Sequence, residues 1–403
     1  MFASKMRVAI LAAVIGVVLV AGVAAAVTFG GAGPAHSAAA LSTPAAGTPT
    51  ATHPATHPAS HRPSPTPAPP LHVMSSSPSN GSTQVNGAAP VQVVFSAPLA
   101  QSSPLPTLSP TVPGSWHAGS GDTMVFTPTT PFAPATEETL RIPGGASGVH
   151  SAKGGLLAAP ATFHFVTAGW STLRLEQLLA QLHYLPLTWA PIPGSTTSSV
   201  TSLSYSEQLA DVYAPPAGAF TWQPGYPATL HSQWAPGVSS RILTGALMAF
   251  QSVHGLMMDG VAGGGTWQAV LDAATKGQVN PNGYTYAYAS KASPETLTIY
   301  HDSKVVMHVL ANTGIAAAPT VDGTFPVYLR YRNQIMKGTN PDGTKYADPV
   351  QYVAYFNGGD AVHYFPRSSF GYPQSLGCVE LSLGDSAQAW PYLTFGSLVT
   401  VAG

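Results

Sequence analysis

The chain has 403 residues, a formal net charge of −1 and only 8% charged side chains, while Gly and Pro supply 40 and 39 positions. That length is too great for one ordinary core, so several domains are expected. So small and balanced a charge offers no basic surface to neutralise phosphates, which argues against nucleic acid as a partner.

At the N-terminus Lys5 and Arg7 precede a run from Val8 to Phe29 that holds no charged residue. The run is long enough to cross a bilayer, whereas a cleavable signal peptide has a shorter apolar core. Residues 1–30 are therefore expected to form an uncleaved signal anchor, a membrane helix, although Ala35-His36-Ser37 offers a possible cleavage site. Lys5 and Arg7 would stay in the cytoplasm and everything after Gly30 would lie outside, so the expected location is extracytoplasmic and membrane-anchored. Residues 31–70 are rich in Ala, Pro, Thr and Ser and run as THPATHPASHRP in part, a composition that reads as a disordered linker. His53, His57 and His61 lie in it without a carboxylate or thiol nearby, so they read as spacer and not as a metal site.

Over 71–168 short alternating segments are divided by Pro and Gly turns: VQVVFS at 91–96, TMVFTP at 123–128, TLRIP at 139–143 and TFHFVT at 162–167. Val91, Val93 and Phe95 share one face, as do Phe163 and Phe165, which predicts an all-β sandwich. The phrases VFSAPL, VFTPTTPFAPATEETLRI and TFHFVT resemble those of bacterial immunoglobulin-like domains. The segment has no clustered acid, base and nucleophile and is read as a spacer or docking module.

Over 169–280 the period changes to that of a helix, with Leu173, Leu175, Leu178, Leu179 and Leu182 on one face and HYLPLTW after them. An irregular insertion is expected from about 190 to 233, then a second helix from Ser239 to about His254 that leads into GLMMDGVAGGGTWQAVLDA. Phe250, Gln251, Gly255, Leu256, Asp259, Gly260, Val261, Gly265, Thr266 and Trp267 resemble the signature of small α-helical peptidoglycan-binding domains. Read from the residues alone, the same stretch is a glycine-rich turn joining two helices.

From Tyr284 the strand period returns, in TYAYAS, in ETLTIYHDSKVVMHVLANTG with a hairpin turn at Asp302 and Ser303, in PTVDGTFPVYLR, in PVQYVAYFN and in LVTV, with a short helix around 386–392. The only cysteine, Cys378, lies fifteen residues after His363 within AVHYFPRSSFGYPQSLGCVEL. One cysteine in an exported chain cannot close an internal disulfide, and a thiol becomes a strong nucleophile as its thiolate, which a nearby imidazole supports. The glycine beside the sulfur would let the amides of Gly377 and Cys378 approach an oxyanion.

This stretch resembles the active-site motif of the L,D-transpeptidases of the YkuD type, and the segment order over 283–403 is similar to their all-β catalytic sandwich. Thr320, Gly323 and Phe325 match a further phrase of that family, and MKGTNPDGTKY resembles its substrate flap. Leu376 and Glu380 stand where the family carries histidine and arginine. The resemblance implies Cys378 as nucleophile, His363 as general base and acid, Gly377 as oxyanion donor, the Tyr364 carbonyl as the group that orients His363, and Ser375 as loop support. Tyr355, Phe356, Glu380 and Met336 are the implied substrate-binding residues. The implied reaction acylates Cys378 with a tetrapeptide stem of peptidoglycan and passes the acyl group to an amine, giving a 3→3 cross-link. With water as acceptor the same site is an L,D-carboxypeptidase, and a wall-bound scaffold with an attenuated site is the alternative from another class. Peptidoglycan stems and glycan, the membrane and carbapenem-type inhibitors are the implied partners; no cofactor is expected.

Overall fold

The computed structural model describes residues 67–192 and 203–403. The expected signal anchor, with most of the linker and His53, His57 and His61, lies outside the described residues, as do residues 193–202 of the insertion. Among the described residues no helix is long and apolar enough to cross a membrane.

The first domain is a sandwich of two four-stranded sheets. Its strands are β1 (Val73–Ser77), β2 (Ser82–Val85), β3 (Val91–Phe95), β4 (Thr107–Ser109), β5 (Gly114–Ala118), β6 (Thr123–Pro128), β7 (Glu137–Ile142) and β8 (Ala161–Thr167). One sheet runs β1-β3-β6-β5 and the other β2-β8-β7-β4. Alternation places Val91, Val93 and Phe95 in the core with Phe126, Phe132, Leu140 and Phe165, as the period-two pattern requires.

The helical domain holds α1 (Thr172–Gln181), β9 (Leu187–Pro191), α2 (Tyr205–Tyr213), β10 (Gly218–Trp222), α3 (Ala228–His231), α4 (Arg241–Val253) and α5 (Gly264–Lys276). The stretch expected to be an irregular insertion is ordered through residues 203–233, because polar side chains bind it to the helices. Ser204 and Glu207 form a capping box that starts α2, and β10 pairs antiparallel with β9. Arg174 of α1 is fully buried and reaches Asp211 at 2.8 Å and Gln208 at 2.7 Å on α2. Glu176, also buried, accepts from Trp234 Nε1 at 2.9 Å and from the Gly237 N–H at 2.6 Å.

The third domain contains β11 (Thr285–Ser290), β12 (Thr296–His301), β13 (Lys304–Leu310), β14 (Gly323–Pro326), β15 (Leu329–Thr339), β16 (Lys345–Asn357), β17 (Asp360–Tyr364), β18 (Val379–Leu381), α6 (Leu383–Ala389) and β19 (Leu398–Ala402). A five-stranded sheet runs β13-β12-β11-β19-β14 and a four-stranded sheet β15-β16-β17-β18. Asp302 and Ser303, both at positive φ, turn the β12–β13 hairpin where expected. Ala287, Leu297, Ile299, Phe356, Val379, Leu381 and Val399 are among the buried residues of the core of this domain.

The helical domain and the third domain share one core. Leu178, Phe250, Trp267 and Leu271 belong to the same buried cluster as Tyr284, Tyr286 and Leu398 of the sheet. Helix α4 lies against β14 and β19, so closely that a Cβ on Gly245 would stand 2.6 Å from the Gly396 carbonyl oxygen, and one on Gly396 would meet the backbone of α4 in return.

Candidate active site

The four-stranded sheet brings the two expected catalytic residues side by side, one on a strand and the other just before the neighbouring strand. His363 lies on β17, and Cys378 immediately precedes β18, which pairs parallel to β17 in the register Val362 with Val379 and His363 with Glu380. Both side chains line a cavity of about 630 Å³ whose other wall is the long β15–β16 hairpin, through Gln334, Met336, Tyr346 and Tyr355.

Loop 375–378 is held from three sides. Ser375, 1% exposed, donates from Oγ to the Cys378 carbonyl at 2.5 Å and accepts the Gly377 N–H at 3.2 Å. The backbone of Ser375 pairs with Thr313 and Ile315, and Thr313 is bound in turn by the buried carboxylate of Glu295 at 2.6 and 2.7 Å. Thr320, one of the residues of the expected family phrase, accepts the Gly314 N–H at 2.8 Å. Gly377 has φ +116°, and a Cβ there would lie 2.4 Å from Asp360 Oδ1, so conformation and space both require glycine. The Gly377 N–H, expected as an oxyanion donor, is engaged within the loop by Ser375.

His363 is 2% exposed and its Nδ1 lies 2.8 Å from the Tyr364 carbonyl oxygen. A carbonyl only accepts, so Nδ1 carries the proton and Nε2 is the basic nitrogen. Burial holds the imidazole pKa below its ordinary value, which keeps the ring neutral; the Tyr364 carbonyl and Glu380 oppose this and Arg367 adds to it.

Cys378 packs among Val350, Val353, Tyr355 and Ala361. Its thiol donates to the Gly359 carbonyl at 3.8 Å. Burial pushes the thiol up to about 12; an N–H from Ala361 lowers it, and the carboxylates of Asp360 and Glu380 raise it further.

Among the implied substrate-binding residues, Tyr355, Met336 and Glu380 line the cavity. Tyr355 donates to Gln334 Oε1 at 3.1 Å, which orients its ring. Phe356 does not line it: the next residue on a strand faces the opposite side, and Phe356 is buried in the inter-sheet core against Phe325. Glu380 is taken up by Arg367, whose Nε and one terminal nitrogen each lie 2.8 Å from a carboxylate oxygen. Arg367 also donates to the Gln374 carbonyl at 2.9 Å and stacks over Phe365, so the pair ties the segment after His363 to loop 375–378. The sequence reading missed Asp360, a cavity residue whose turn-like setting in NGGD gives no sign of its position beside the thiol.

The turn of the helical domain has an internal role. Gln251 Nε2 donates to Asp259 at 2.8 Å and to the Val261 carbonyl at 3.0 Å, while its Oε1 accepts the Gly260 N–H at 2.9 Å. Trp267 is buried against Trp170.

Comparison with known proteins agrees with the two sandwiches. Residues 284–401 match the family of L,D-transpeptidase catalytic domains, and residues 67–167 match a bacterial Ig-like domain family. The chain therefore carries an L,D-transpeptidase catalytic domain of the YkuD family together with an Ig-like domain. Among solved structures, an L,D-transpeptidase from Mycobacterium smegmatis aligns at 14% identity over 83% of this chain and 100% of its own, with a TM-score of 0.28. L,D-transpeptidase 3 from Mycobacterium tuberculosis aligns at 15% identity over 82% and 98%, with a TM-score of 0.27. The catalytic domain of an E. faecium L,D-transpeptidase aligns at 26% identity over 29% and 96%, with a TM-score of 0.28. No curated protein matches the chain.

Proposed function

We propose that this protein is a cell-wall L,D-transpeptidase whose nucleophile is Cys378. The observation that carries the reading is a buried, neutral His363 with its proton fixed on Nδ1 by the Tyr364 carbonyl, in the same cavity as the sole thiol. In the first half-reaction Nε2 of His363 takes the thiol proton as sulfur attacks the carbonyl between the third and fourth residues of a tetrapeptide stem. The Cys378 N–H, the other member of the expected donor pair, would donate to the developing oxyanion. The imidazolium then protonates the leaving amine and D-alanine departs. In the second half-reaction an amine of a neighbouring stem attacks the thioester, a 3→3 link forms and the thiol is restored; attack by water gives the carboxypeptidase outcome.

A thiol at about 12 favours a second reading, in which the domain is an attenuated member that serves as a wall-bound scaffold. Intact mass after incubation with a carbapenem separates the two. A covalent adduct that disappears in Cys378→Ala supports the enzyme, and an unmodified wild-type protein refutes it. The helical domain is proposed to dock the wall and the N-terminal segment to hold the protein at the outer face of the membrane. Unchanged sedimentation with purified sacculi after surface substitutions on the helical domain would remove the docking role.

A further inference from the structure

Two carboxylates stand by the thiol, and they differ in their partners. Glu380 is neutralised by a bidentate Arg367. Asp360 has no cation within 4.0 Å among the described residues; Asn357 Nδ2 at 3.3 Å and the backbone N–H of Val321 support it. Its other oxygen sits against Gly377, in the space a side chain there would fill, and the carboxylate faces the catalytic cavity. A half-buried carboxylate with hydrogen bonds but no countercharge is costly, and beside a thiol it also opposes formation of the thiolate. Both costs fall when a cation enters the cavity.

We infer that Asp360 is the recognition group for the cationic primary amine that accepts the acyl chain, and so sets the choice between amine and water. The assignment rests on the transpeptidase reading above. An ammonium ion held at Asp360 lies beside the thioester carbon on Cys378 and cannot attack while it carries three protons. One proton passes to the Asp360 carboxylate and the freed lone pair forms the C–N bond as the C–S bond breaks. A second amine proton returns through His363 to the Cys378 thiolate, the third remains on the new amide, and Asp360 releases its proton to solvent. Burial, which holds the Asp360 carboxyl above the usual carboxylate range, suits it to this transient protonation.

The test measures how one acyl-enzyme divides between acceptors, a ratio independent of how fast it forms. Full-length wild type and Asp360→Asn are acylated with a tetrapeptide stem donor and offered either a stem peptide bearing a primary ammonium or hydroxylamine, which is neutral at pH 7. Asp360→Asn should lower the ratio of aminolysis to hydrolysis for the ammonium acceptor by roughly tenfold or more, the usual loss of a charged hydrogen bond, and leave the hydroxylamine ratio unchanged. A second measurement needs only the wild type: an acceptor peptide with its amine trimethylated should suppress aminolysis without suppressing hydrolysis. Equal ammonium ratios in wild type and Asp360→Asn overturn the assignment, as does a trimethylated peptide without effect if the variant does not fold. Failure of the wild-type thiol to acylate at all sinks the transpeptidase reading and this assignment together, whereas acylation with unchanged ratios sinks the assignment alone.

Discussion

At a thiol pKa of about 12 almost no thiolate exists at neutral pH, so the proposed reaction needs proton transfer to His363 to accompany attack. Alkylation of Cys378 by iodoacetamide should therefore rise by about tenfold per pH unit from 7 to 10 without a plateau. A plateau near pH 8 would show that burial does not control the thiol. Glu380→Gln leaves the Arg367 cation and removes a nearby anion, so it should bring the alkylation curve to lower pH; an unmoved curve would mean that the ion pair screens itself fully. Cys378→Ala should abolish acyl-enzyme formation, and His363→Ala should slow it by roughly 100-fold or more, as loss of a general base does. The placing of His363 and Cys378 together was legible from spacing and residue type, and the contact of His363 with the Tyr364 carbonyl from the family resemblance. Phe356 was misassigned, since strand alternation turns it away from the side that Tyr355 faces, and the position of Asp360 was hidden because its close approach to Gly377 joins the start of β17 to a loop distant in sequence.

The glycine-rich turn between α4 and α5 shows how one polar side chain can organise an element. Gln251 is 1% exposed and its bonds go to the turn and to Thr266 of α5, so Gln251→Leu would strand the Gly260 N–H and the Val261 carbonyl. Chemical denaturation should show a loss of about 2–4 kcal/mol; a loss below the measurement error would mean that the turn holds itself. The boundaries of α1, α4, β6 and β11 follow the periodicity closely, and the Asp302-Ser303 turn was readable from its residues. The insertion was not, because Ser, Pro and aromatic residues disguise α2 and β10, although Ser204 and Glu207 do spell a capping box. What orders it is a pair of buried charges on α1, Arg174 and Glu176, whose partners lie far along the chain.

Across the whole molecule, stability should depend on pH through Glu138, a buried residue of the Ig-like domain. Burial raises its carboxyl from 4.5 to about 7, so the folded state holds the proton more tightly than the unfolded chain. The stabilisation is complete below about 4.5 and is lost as pH rises through about 7. The melting temperature of the Ig-like domain should fall between pH 5 and 8, and Glu138→Gln should flatten that slope; an equal slope in the variant would assign the effect elsewhere. A fragment from 169 to 403 should remain folded and acylable, because only a few contacts, such as Tyr213 to the Phe132 carbonyl, link it to the Ig-like sandwich. Removing 170–275 instead uncovers Tyr284, Tyr286 and Leu398 and should leave the catalytic domain insoluble. The contact between Gly245 and Gly396 extends this dependence to descent. Each backbone fills the room that a side chain on the other would need, so neither position can drift through a single substitution without moving α4 off the sheet. Recombination that exchanged the helical domain alone would bring together surfaces with separate histories, so the helical and catalytic domains are expected to be inherited as a pair.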